Sequence, residues 1–107
     1  MHNIELLRLT ALDGEMIEKS LILVEFHSGI PGTIQIMVPI INRISDEFKH
    51  KLHVVRVNTH IYMDVKKHYR IFNDPTYLLF RNGELVERYD HLISHKKLKN
   101  IIINYLN

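Results

Sequence analysis

The side chains best suited to chemistry in this chain are its eight histidines: His2, His27, His50, His53, His60, His68, His91 and His95. Imidazole titrates near neutrality and is the commonest metal-binding side chain. Their spacing does not assemble a carboxylate–histidine zinc signature, and no cysteine is present to complete one. His91 and His95 are four apart, but His91 precedes the expected helix cap at Ser94, so the two need not share a face. A scattered, solvated set with no bound metal is expected. The absence of cysteine also removes the thiolate that disulfide exchange requires, so the chain's own side chains cannot perform it. Ser28 follows His27 without any third group that would make a triad. Four glycines form no phosphate-binding loop. No cofactor is expected.

The formal charge of +2 is too small, and its lysines and arginines too interleaved with acids, to follow a phosphate backbone. Nucleic acid is therefore not an expected partner. Lys96-Lys97 reads as a solvated face. The longest apolar runs, such as Leu21-Ile22-Leu23-Val24, are too short to cross a bilayer, so no membrane span is expected. Met1-His2-Asn3-Ile4-Glu5 lacks a basic segment leading into an apolar run. A cytoplasmic location is the default expectation, although a cysteine-free chain tolerates any redox compartment.

The elements that must position these residues fit one domain over 1–107. Hydrophobic residues make up 46%, enough for a core without disulfides or a structural metal. Ile4 to Leu9 is a weakly patterned strand candidate. Asp13 to Lys19 reads as a short helix capped by Asp13. Leu21 to Phe26 is almost continuously apolar, as a strand buried on both faces is, with Glu25 interrupting it. A long helix runs from about Gly32 to Phe48 with Ile36, Val38, Ile40, Ile41, Ile44 and Phe48 at helical spacings, and Pro39 should kink it. Leu52 to Asn58 is a second buried strand, and Ile61 to Tyr69 a short helix. Thr76 to Arg81 and Glu84 to Asp90 form a hairpin at Asn82-Gly83, two residues that accept positive φ. Ser94 caps a last helix whose inner face is Leu98, Ile101, Ile102, Tyr105 and Leu106. The order β-α-β-α-β-α-β-β-α implies an α/β fold: a central mixed sheet of about five strands flanked by about four helices.

Several of these features, at matching spacings, resemble thioredoxin. Leu23-Val24-Glu25-Phe26 is similar to the family's central strand with its buried acid, and its Glu-Phe pair to protein disulfide isomerase domains. Pro39 matches the kinking proline of the active-site helix. Asp74-Pro75-Thr76 matches the cis-proline and the threonine after it. Phe80-Arg81-Asn82-Gly83-Glu84 matches the hairpin, and Ser94 and Leu98 the start of the last helix. The resemblance covers almost the whole chain and implies the thioredoxin fold.

By this resemblance, the positions of the active-site motif hold Pro31-Gly32-Thr33-Ile34. Pro31 stands for the attacking cysteine and Ile34 for the resolving one, which makes this a vestigial site with no catalytic residue. Proline suits a helix start, and Ile34 is expected to fill the space of the buried thiol. His27 and Ile30 replace the two tryptophans common there, with Ile30 at an exposed tip. His91 stands where a glycine often lines the groove, and could approach His27 across its mouth. Pro75 is expected to be cis, and Asp74 to make the groove more acidic. Arg56 aligns with a family lysine near the buried acid, which implies a structural Glu25–Arg56 pair, since an unpaired buried carboxylate is costly.

The function this implies is a redox-inactive binding module. It would hold a protein or an extended peptide on His27, Ser28, Gly29, Ile30, Pro31, Asp74, Pro75 and His91, by strand addition or surface contact. One alternative is an accessory subunit that positions a partner for a thiol-redox system. Another is a metal- or proton-responsive module built on His27 and His91. No enzymatic activity and a monomeric state are the accompanying expectations.

Overall fold

A computed structural model describes residues 21–106. The strand expected at Ile4–Leu9, the helix at Asp13–Lys19, and His2 lie outside the described residues. Within them the order is β1 (Leu21–His27), α1 (Pro31–Glu47), β2 (His53–Asn58), α2 (Met63–His68), β3 (Thr76–Arg81), β4 (Glu84–Tyr89) and α3 (His95–Asn104). The described residues thus contribute four strands and three helices, where five and four were expected for the whole chain.

The sheet order is β2-β1-β3-β4. β1 runs parallel to β2 and antiparallel to β3, and β3 is antiparallel to β4. β1, with a strand on each side, is buried at every residue. Alternation along it separates two cores. Leu21 and Leu23 pack with Met37, Ile41 and Ile44 of α1 and Leu98 and Ile102 of α3. Ile22, Val24 and Phe26 pack on the opposite face with Val55, Val57, Leu78 and Val65 of α2. Each such aliphatic or aromatic side chain contributes roughly 1.5–3 kcal/mol through burial.

Local sequence explains the joins. Asn82 (φ 52°) and Gly83 (φ 85°) turn the β3–β4 hairpin. The Ser94 hydroxyl accepts from the Lys97 N–H and so satisfies one of the first free donors of α3. α1 has no side-chain cap. Ile30 is its N-cap and Pro31 opens its first turn, where a missing N–H costs nothing. The helix continues through Pro39 to Glu47. Ile36, expected on its apolar face, is 55% exposed, because the buried stripe is carried by Met37, Ile41 and Ile44.

Candidate functional site

The end of the sheet where β1 and β2 finish and β3 begins carries the candidate site. Period-two alternation puts Glu25 and His27 of β1 on one face. The parallel register sets Arg56 beside Glu25 from β2. Glu25 is completely buried. Arg56 Nε donates to its Oε1 at 3.1 Å. His27 Nδ1 lies 3.3 Å from Oε1 and 3.2 Å from Oε2. The carboxyl group is therefore in contact with two side-chain nitrogens, not with one. The resemblance points to Arg56 alone; the signal for His27 is a spacing of two along a strand.

The third strand adds a group that sequence reading overlooks. Tyr77 of β3 stands opposite Glu25, and its hydroxyl is buried without a hydrogen-bond partner. Burial first, and the Glu25 charge second, push this phenol well above its ordinary range. The Ile93 backbone opposes the shift but does not reach hydrogen-bond geometry.

Beyond His27 the chain leaves the sheet and is tied down on two sides. The His27 carbonyl accepts from the Thr59 N–H at 2.8 Å and from its hydroxyl at 3.2 Å. Ser28 donates twice to Asp74, from its N–H to Oδ1 at 3.2 Å and from its hydroxyl to Oδ2 at 2.7 Å. Gly29 takes φ +91°, a conformation that favours glycine, and turns the chain into α1. The Asp74–Pro75 peptide bond is cis, and Thr76 after it is fully buried.

The sequence-derived positions thus divide. His27, Ser28, Asp74 and Pro75 come together through these bonds, while Gly29, Ile30 and Pro31 form the turn beside them. Ile30 is 52% exposed. Pro31 and Gly32 are exposed, and Thr33 and Ile34 half-buried, so Ile34 is not the fully buried filler expected of it. The reason is position: Ile34 lies in the first turn of α1, ahead of Met37, its first fully buried residue. His91 is exposed and turns its Nδ1 to the Leu92 carbonyl at 2.9 Å. No group of three metal-ligating side chains forms among the described residues. His95 pairs with Glu47 at 2.8 Å, far along the chain from His27. Phe72, two residues before Asp74, is 81% exposed, and no sequence pattern singles it out.

A mixed sheet covered by helices, a helix opening at the end of its central strand, and a cis-proline beside that opening define an α/β protein of the thiol-oxidoreductase architecture. At the two positions the resemblance assigns to thiols, it carries proline and isoleucine. The family model described as Thioredoxin matches residues 5–104, and the chain belongs to the thioredoxin family. It is 33% identical over 94 residues to a thioredoxin of Rickettsia felis, covering 87% of this chain and 86% of that protein. It is 35% identical over 77 residues to "Thioredoxin Y1, chloroplastic" of Arabidopsis thaliana, covering 72% of this chain and 45% of the relative. Against the chloroplastic Y-type relatives the match spans about half of their length. Among solved structures, a mutant thioredoxin from Halobacterium salinarum superposes with a TM-score of 0.88 at 22% identity. The superposition covers 99% of this chain and 92% of that one, a likeness of fold. The absence of cysteine fits redox inactivity.

Proposed function

We propose that this chain is a redox-inactive thioredoxin-family binding module that docks a protein or extended peptide at its vestigial active-site end. The observation that carries the reading is the Ser28–Asp74 pair of hydrogen bonds. It joins the loop bearing exposed Ile30 to the cis-proline segment bearing exposed Phe72. Large apolar side chains held outward on two tethered segments are what a partner can cover. With Pro31 and Ile34 in place of thiols, the same surface contributes contact without exchange.

The experiment is chemical crosslinking of the purified protein in extract of its own cells, with Ile30→Asp as the comparison. Loss of a specific crosslinked species in the variant supports the reading. Identical species from both proteins would move the binding surface elsewhere.

A further inference from the structure

At the start of β1, the opposite end from His27, an open cavity of about 380 Å³ is lined in part by Leu21. A strand rises about 3.3 Å per residue, so roughly 20 Å of β1 separates this cavity from the docking end. Its volume falls in the range of small-molecule sites, about 300–1,000 Å³.

Two turns bring polar residues to it. His50 and Lys51 come from the turn between α1 and β2, and Arg81 and Asn82 from the end of β3 and its hairpin. Each turn has a fixed backbone: the Lys51 N–H donates to the Phe48 carbonyl at 2.8 Å, and Asn82 holds φ 52°. Leu21, Tyr105 and Leu106 line the remainder, and Tyr105 is held through its hydroxyl on Glu87. No carboxylate side chain is among these lining residues. The Arg81 charge is felt inside the cavity, because it opposes the rise that Glu87 causes in the Tyr105 phenol. Arg81 has interactions of its own and stands opposite Glu84 in the hairpin register. A guanidinium nevertheless has more N–H donors than one partner uses.

Lysine as a point charge and arginine as a planar fork are the side chains that bind phosphate. An imidazole and a carboxamide add N–H donors. Cations and donors converging from two turns, without an acid, suit a group with nearly two negative charges and several acceptor oxygens. The apolar side of the cavity gives the carbon part of an ester a surface to cover. A second groove, along Ser94, Lys96, Lys97 and Asn100, also has lysines, but they come from one helix and its cap, with no arginine. It serves as an internal control.

We propose that the cavity between the α1–β2 turn and the β3–β4 hairpin binds a small phosphate monoester, its phosphate on Lys51, Arg81 and Asn82 and its carbon part against Leu21 and Leu106. This is a binding function separate from docking, at the other end of the sheet.

Amide NMR of the whole protein, titrated with phenyl phosphate, inorganic phosphate or phenol, tests it. Phenyl phosphate should shift the Lys51, Arg81 and Asn82 amides along one saturable curve. Inorganic phosphate should shift the same amides with about tenfold weaker affinity, and phenol should leave them in place. The double variant Lys51→Gln, Arg81→Gln changes two exposed residues, and its amide spectrum checks the fold. It should bind phenyl phosphate at least about tenfold more weakly, while Lys97→Gln should bind it as the wild type does. Equal affinity of the folded double variant and the wild type would overturn the proposal. Shifts that do not saturate, or that fall equally on Lys96 and Lys97, would also overturn it, since they mark diffuse attraction to surface cations. Inorganic phosphate bound as tightly as phenyl phosphate would overturn the assignment to a monoester.

Discussion

Arg56 Nε sits 3.1 Å from a Glu25 carboxylate that has no exposed surface, while the Arg56 side chain keeps 16% of its own. The pair links the parallel strands β1 and β2. Removing one member leaves the other charged in a dry site, which costs more than the pair itself contributes. Arg56→Ala should lower unfolding free energy by about 3 kcal/mol, with His27 limiting the loss. The double change Glu25→Leu, Arg56→Met should fall within about 1 kcal/mol of the wild type. Urea denaturation of the three proteins reads both values. A single variant as stable as the wild type would show that the pair is not what keeps the buried carboxylate.

Asp90 provides the pH dependence. The Arg88 hydrogen bonds come first, with Thr76 helping, and hold its carboxyl below the ordinary range; partial desolvation opposes them. Glu87 is lowered too, chiefly by the Tyr105 hydroxyl and then by Tyr89. A carboxyl whose folded pKa is depressed contributes stability that is present above its unfolded pKa and lost as pH falls through the folded one. Stability should therefore drop as pH falls below about 4. Asp90→Asn should cost about 0.5–1 kcal/mol at pH 7, since the pair is partly exposed. That difference should vanish in acid. Thermal melts from neutral pH down into the acid range measure it; a constant difference would contradict the assignment.

Chemistry at the vestigial site should be recoverable from its geometry. Pro31 and Ile34 are three apart in the first turn of α1, and Cα atoms so spaced on a helix lie about 5 Å apart. That Cα separation is compatible with a disulfide. The wild type should give no insulin reduction above background. The double variant Pro31→Cys, Ile34→Cys should form an intramolecular disulfide and reduce insulin with a dithiol as the electron source. Turnover by the wild type would contradict redox inactivity.

Much of this was legible in the sequence because the signals are local. The apolar run of β1, the Asn82-Gly83 turn and the Ser94 cap each act over a few residues, and each appears where the pattern put it. Element ends moved by one or two residues, as at Met63 rather than Ile61 for α2. Long-range features were not legible in the same way. Ser28 and Asp74 are 46 residues apart, and only the folded loops bring them together. Arg88 donates to the carbonyls of Tyr69 and Arg70 and so clamps β4 onto the end of α2, a contact no spacing announces. Ile36 matched an apolar pattern but faces solvent, because periodicity gives the stripe and packing chooses its centre. The His27–Glu25 contact was within reach of a strand's period of two.

The central claim is that docking occurs at the turn bearing Ile30. Crosslinking of wild type and Ile30→Asp in native extract tests it most directly, with circular dichroism confirming that both are folded. Ile30 is half exposed and precedes α1, so the variant should fold normally. A specific species formed by the wild type and lost in the variant is the predicted result. The same species at equal yield from both proteins would contradict the account.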